Sequence, residues 1–551
     1  MKIISNSFKF AARTLTIFLL FLSSYTSAQS NGFEVIRSLE LMDQIYEHLE
    51  KYYVDDLHSG NLSKVAIDAM LKELDPYTVY YHESDIEDYQ LITTGQYGGI
   101  GALIRKIDEY VYISEPYEGN PAQMSGLKSG DKILEIDGKS MKGKSSTEVS
   151  SALKGQKGTE VELLIERNGT EQKKIKFERD EIKLADVPYS GMLTESIGYI
   201  KLNSFTKTAS KEVISAFHQL KNEGMTELVF DLRGNGGGLL IESIRIVNMF
   251  IDKNKTVVFT KGRVSEENRE YTTMTEPIDK EIPIVVLVNS GSASASEIVS
   301  GSLQDFDRAV IVGTTSYGKG LVQRTYDLDY GSKIKLTIAK YYTPSGRCVQ
   351  RLEYYDKEDG DRPQEIADSL IKKFKTINGR EVIDGRGVEP DIAIDLKEYS
   401  RLTATLFREN LIFHYASDHY YSHERIASAD QFTLTDEEYE AFKHYVLAHE
   451  FTYSTASEEM LKKLKKTAEK EGFYEDSESE YAALLQKIVP SKERDLEKFK
   501  AQIKHLLENE IVSRYYFQKG RAQQSFNGDE YIKKSIEILQ DRDKYNTILG
   551  N

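Results

Sequence analysis

Between residues 185 and 345 the chain alternates short apolar runs with amphipathic stretches, and this alternation restricts the fold more than any other feature. Runs at 197–202, 228–232, 284–288, 309–313 and 333–341 read as strands, and stretches at 210–221, 240–250 and 294–304 read as helices. Strands and helices in alternation build an α/β core. The run at 284–288, Ile-Val-Val-Leu-Val, is apolar throughout, as a buried strand is. The polar text at 351–382 reads as a loop or short helix, and Gly387-Val-Glu-Pro-Asp391 closes a core assigned to residues 181–397.

The flanks have other periods. Val35, Leu39, Met42, Ile45 and Leu49 recur at helical spacing, so residues 29–94 are assigned as an N-terminal helical region, closed by a turn at Asp75-Pro76. Residues 95–180 read as short strands at 100–106, 110–114, 132–136, 161–166 and 171–177, with helices at 121–125 and 146–153. The Asn168-Gly169 pair is a strong hairpin signal. Residues 398–551 read as a charged, tyrosine-rich helical extension. Its His419 and His423, four apart, could bind zinc on one helix face, but they are read as surface or partly buried histidines and no metal is assigned.

At the N-terminus, Lys2, Lys9 and Arg13 precede an apolar run of about eight residues, far short of the ~20 that span a bilayer. Small residues Thr26-Ser27-Ala28 follow. Residues 1–28 therefore read as a signal peptide, with export to the periplasm or cell envelope and no stable membrane span after cleavage. The single cysteine, Cys348, excludes an intrachain disulfide and metal sites built on several cysteines. A net charge of −16 argues against nucleic acid or anionic membrane as partner.

Three stretches carry chemistry. The first is Asn289-Ser-Gly-Ser-Ala-Ser294-Ala-Ser-Glu297, a small-residue turn between an apolar strand and a helix start. A serine there lies near outward-facing backbone N–H groups, which stabilise an oxyanion. Ser294 and Glu297 also fit a capping box, so the serine can equally be an N-cap. The second is Ser316-Tyr-Gly-Lys319-Gly-Leu-Val-Gln323, a lysine between two glycines. It is either a solvated turn lysine or, buried and neutral, a base for a serine. The third is Asp231-Leu-Arg233-Gly-Asn235-Gly-Gly-Gly238, whose amides can meet a carbonyl oxygen or which is simply a tight strand–helix connection. It lacks the Lys-Ser/Thr pair of a phosphate loop and the spacing of a dinucleotide fingerprint. No HExxH occurs, and His218 alone in the core supplies a Ser-His-Asp triad poorly.

Residues 95–180, with the Gly98-Gly-Ile-Gly101 loop and the Ser129-Gly-Asp131-Lys-Ile-Leu-Glu-Ile-Asp-Gly138 run, resemble a PDZ domain. With the three stretches in this order, residues 35–395 resemble the C-terminal processing peptidases, or tail-specific proteases. The resemblance implies a crotonase- or ClpP-like α/β protease core with an inserted PDZ-like α+β domain. It implies Ser294 as nucleophile, Lys319 as general base and Gln323 as helper. The oxyanion hole would use the amides of Ala295 and Gly237, with Gly236 and Gly238 as rivals. No cofactor is implied. Gly99, Ile100, Gly101, Val149 and Leu153 would bind substrates, namely proteins or peptides with a free apolar C-terminus. An inactive, PDZ-type peptide-binding module of the cell envelope, and a crotonase-like enzyme acting on thioesters, stand as alternatives. The tail can serve a homo-oligomer or an adaptor.

Overall fold

The computed structural model describes residues 32–354, 363–395 and 398–551, so the expected signal peptide lies outside the described residues. The chain divides into two compact units, Met1–Tyr80 and Tyr81–Asn551. The first contains a helix over 32–52, whose apolar stripe at Val35, Leu39, Met42 and Ile45 is exposed, and the helix Ser59–Lys72. The expected helical region is interrupted by the strand Val79–Tyr81, and the helix Ile86–Thr94 belongs to the second unit.

The second unit is organised by a six-stranded sheet. Its order is Tyr189–Met192, Ile197–Lys201, Glu227–Asp231, Ile284–Val288, Val310–Gly313, Ile392–Ala393. The first pair is antiparallel and the others are parallel. Parallel strands need long crossovers, supplied here by the helices Ala209–Asn222, Leu240–Val247 and Ala295–Asp305. Side chains from these helices, such as Val213, Phe217, Ile246 and Val299, bury one face of the sheet with Phe230 and Val286.

The other face is covered by the end of the chain. Tyr531, Ile532, Ile538, Leu539, Tyr545 and Leu549, from the helices Glu530–Gln540 and Arg542–Ile548, pack on Val229, Val285, Leu287 and Val310. This explains why Ile284–Val288 is apolar on both sides. The last two helices of residues 398–551 thus complete the core. A second, antiparallel sheet runs Glu270–Thr272, Thr256–Gly262, Lys333–Tyr342, Leu321–Asp327. The polar stretch expected as loop or short helix forms small strands instead, at Leu352–Glu353, Gln364–Glu365, Lys373–Lys375 and Glu381–Ile383. Arg380 anchors it through ion pairs to Asp307 and Asp391, both 2.6 Å.

The PDZ-like segment is a sheet ordered Ala102–Ile107, Tyr110–Pro116, Lys132–Ile136, Glu160–Arg167, Glu171–Glu178. Asn168 and Gly169 take φ of 54° and 69° at its hairpin, the left-handed geometry such a turn demands. Arg167 grips the buried Asp131 with two hydrogen bonds of 2.7 Å. The strands Gln96–Gly99 and Asp180–Lys183 pair where the segment leaves and re-enters the core.

Candidate active site

Three loops leave the same edge of the core sheet, at the C-terminal ends of the parallel strands Glu227–Asp231, Ile284–Val288 and Val310–Gly313. Ligands of parallel α/β sheets gather outside that edge. The loops are laced together. The Asn235 carbonyl accepts the Ala293 amide at 3.0 Å and the Ser296 hydroxyl at 2.9 Å. The Gly234 amide donates to Asn289 Oδ1 at 2.9 Å, and the Tyr317 amide to the Ser292 carbonyl at 2.9 Å.

Ser294 sits at φ 56° and ψ −112°, a conformation that costs a non-glycine residue on the order of 1–3 kcal/mol and persists only where the surroundings enforce it. The enforcing group is Glu297, fully buried in the first turn of the helix Ala295–Asp305. Its Oε2 accepts the Ser294 and Lys319 amides, each at 2.8 Å. Its Oε1 accepts the Ser316 hydroxyl at 2.6 Å and the Gly318 amide at 2.7 Å. Two backbone nitrogens from loops 25 positions apart therefore share one oxygen, and lie no further from each other than twice that bond. Burial pushes the Glu297 carboxyl above the usual range. All four partners donate, which opposes the shift and favours the anion. The capping signal in the sequence thus marks a clamp reaching well beyond its own helix.

Ser294, Ala295, Lys319, Gln323, Tyr341 and Gly236–Gly238 line one cavity of about 870 Å³. The Tyr341 hydroxyl donates to the Ser294 carbonyl at 3.2 Å, and Gln323 Nε2 to Thr337 Oγ1 at 3.2 Å. The glycines beside Lys319 permit close approach. A Cβ on Gly318 would meet the Arg351 Cβ at 2.6 Å, and one on Gly320 would meet the Gln350 amide at 2.8 Å.

The Ala295 amide has no acceptor among the described residues, as befits the first residue of a helix. Gly237 lies against it: a Cβ there would come within 2.8 Å of Ser294 Cβ and 2.9 Å of Ala295 N. The Gly237 amide, however, donates to Asn235 Oδ1 at 2.9 Å, so its role as a free oxyanion donor is not met in this structure. The Gly236 and Gly238 amides have no acceptor among the described residues. His218 is exposed on the helix Ala209–Asn222 and is not part of the cavity wall.

In the PDZ-like segment, Ala102–Ile107 is the edge strand and the helix Ser146–Leu153 packs beside it. Ile100, Val149 and Leu153 are closed into the apolar core. Gly99 pairs with Asp180, and Gly101 takes φ 72°. Sequence reasoning missed Tyr341 and the clamping role of Glu297. Tyr341 carries no local signal, since its partner Ser294 lies 47 residues away.

Residues 196–354 match peptidase family S41, residues 98–175 a PDZ domain, and residues 402–539 the C-terminal helical domain of a probable PDZ-protease. A probable CtpA-like serine protease of Staphylococcus aureus (strain MRSA252) is 34% identical over 367 residues, 66% of this chain and 66% of its own length. A protein of the same description from Staphylococcus haemolyticus is 35% identical over 314 residues, 57% and 63% of the two chains. The chain thus spans just under two thirds of the length of these relatives. Among solved structures, a photosystem II D1 C-terminal processing protease is 28% identical, covering 64% of this chain and 86% of its own, with a TM-score of 0.36.

Proposed function

This chain belongs to peptidase family S41, among the C-terminal processing peptidases, and on that premise we propose that it is a serine endopeptidase cutting proteins or peptides that present a free apolar C-terminus. Uncharged Lys319 takes the proton of the Ser294 hydroxyl, and Oγ attacks the peptide carbonyl. The oxyanion meets the Ala295 amide and one from Gly236 or Gly238, the donors without another acceptor. Protonated Lys319 gives its proton to the departing amine. Water, deprotonated by the same lysine, then releases the acyl group from Ser294. Gln323 holds the amine in the cavity. The finer reading of the core as crotonase- or ClpP-like rests on its run of parallel strands and crossover helices.

The observation that carries the proposal is the shared Glu297 oxygen, which ties the backbone of Ser294 to that of Lys319. The test incubates the protein, Ser294→Ala and Lys319→Ala with an unfolded protein. Cleavage by the unsubstituted enzyme alone supports the proposal. Binding by all three without cleavage sinks it and favours a peptide-binding module.

Substrate capture rests on the edge strand Ala102–Ile107, beside which an extended peptide can add as a further strand, with its carboxylate at Gly99–Gly101. Amidating the terminus of a peptide substrate then slows its cleavage, and equal rates for acid and amide refute this mode. Export rests on residues 1–28. Among the described residues no helix is long and apolar enough to cross a membrane. A mature N-terminus at Gln29 is the expected readout, and an unprocessed Met1 the contrary one.

A further inference from the structure

His419 and His423 stand one turn apart at the end of the helix Leu411–Ser422, their rings stacked with centroids 4.1 Å apart and planes 12° apart. Glu438 approaches from the first turn of the helix Asp436–Leu447. One donor atom from each of the three lies within 4.8 Å of the other two.

His419 is only 5% exposed, and neither of its ring nitrogens has a hydrogen-bond partner among the described residues. Its Nε2 lies 3.8 Å from Glu438 Oε1, too far for a hydrogen bond but close enough to share a third atom. Buried polar atoms are nearly always satisfied, so this pair asks for a ligand.

Around His423 the neighbours are arranged as they are around metal-binding histidines. His423 Nδ1 lies 3.0 Å from the His419 carbonyl and 3.1 Å from Ser422 Oγ, which fixes the proton there and leaves Nε2 its lone pair. The Thr435 amide occupies Glu438 Oε2 at 2.7 Å and leaves Oε1 to the cluster. The cluster also lies at the C-terminal, negative pole of its helix, which favours a cation.

We propose that His419, His423 and Glu438 bind a divalent ion of the zinc class, joining the end of one helix to the start of the next. Two imidazoles and a carboxylate are a borderline-soft N,N,O set, which suits zinc, and three protein ligands leave a fourth position for water at the exposed His423 side. The ion lies outside the catalytic cavity and takes no part in peptide cleavage; its effect is to pin the two helices.

The test is calorimetric titration of the chelator-treated full chain with Zn²⁺, beside His423→Ala and Glu438→Gln. His423 is exposed, so its loss leaves the fold intact, and glutamine preserves an acceptor for Thr435. Circular dichroism checks both. One equivalent bound by the unsubstituted chain, and affinity lower by about tenfold or more in each variant, is the expected result. No saturable one-site binding by the unsubstituted chain, or either folded variant binding as tightly, overturns the site.

Discussion

Replacing Glu297 with glutamine tests the clamp with a change of one atom. Glutamine keeps one acceptor oxygen where the carboxylate has two, so it must choose between the two pairs of donors. If its oxygen faces Ser316 and Gly318, its NH₂ is aimed at the amides of Ser294 and Lys319, and two buried donors lose their acceptor. If its oxygen faces Ser294 and Lys319, its NH₂ meets Ser316 Oγ and the Gly318 amide. The hydroxyl can turn to accept, although it already takes the Val388 amide at 2.7 Å, so only Gly318 is left unpaired. The second arrangement wins by one donor.

One unsatisfied buried amide costs about 1–3 kcal/mol. Neutral acceptors also hold the remaining amides about 1 kcal/mol less firmly each, and removing the buried charge offsets part of this. The net loss of stability is therefore about 1–3 kcal/mol. The orphaned amide is the neighbour of Lys319, the proposed base, and a shift of about 1 Å in such a group lowers the rate on the order of a hundredfold. Steady-state kinetics on a fluorogenic peptide should show kcat down by about 10²-fold with KM nearly unchanged, because Glu297 lies behind Ser294, the proposed nucleophile. A folded Glu297→Gln enzyme with kcat within about threefold of the original would refute the reasoning.

Gly237→Ala would force a Cβ to 2.7–2.9 Å from Ala293 O, Ser294 Cβ and Ala295 N at a φ of 98°. Peptide turnover should fall at least about a hundredfold while the melting curve keeps a folded transition, and unimpaired turnover counts against the placement of this glycine. Asp231, 1% exposed, is raised by burial but carried well below the usual carboxylate range by Arg233 and Lys201. Its stabilisation is present above the ordinary carboxylate range of about pH 4 and is lost as pH falls through that range toward its own lower value. Urea midpoints should therefore drop from about pH 4 downward, and less steeply in Asp231→Asn; identical slopes refute the assignment. Arg521→Ala strips the buried Glu115 of its 2.7 Å partner, so limited proteolysis at the strand pair near 95 and 180, where the segment joins the core, should quicken, and an unchanged digestion rate refutes the tie.

The parts of this molecule legible in the sequence are those whose cause is local. The Asn168-Gly169 turn, the strand at 284–288 and the helix at 295–305 follow from turn chemistry, β-branching and periodicity, and the structure has all three. The strand Leu321–Asp327 is hard to read locally because its extended conformation is fixed by pairing with Lys333–Tyr342. Tyr189–Met192 escaped notice because it is four residues long, contains a glycine and is defined by pairing with Ile197–Lys201. At the site, the serine and the lysine were visible as types in unusual settings. The carboxylate between them was visible only as a cap, because its other partners lie 19 to 22 residues further on.

Residues 398–551 stood furthest from what sequence could tell, and their role follows from where their charges land. Arg233 of the glycine-rich loop pairs with Asp529 at 2.8 Å and stacks on Tyr531, so the loop that walls the cavity is bolted to the helix covering the back of the sheet. The helix Lys500–Ser525 breaks at Phe517, with φ 54° and ψ −154°, and just beyond the break Gln518 lines the cavity while Arg521 grips Glu115. Glu115 is the register partner of Leu103 on the edge strand where a peptide would dock, and Tyr117, two residues on, lines the same cavity. A peptide added to that edge therefore lies one strand away from an ion pair whose carboxylate is buried and whose guanidinium, 38% exposed, belongs to the cavity-lining helix. Moving the PDZ-like segment away from that helix therefore breaks the Glu115–Arg521 pair, and burial in the packed state already pushes the Glu115 carboxyl upward.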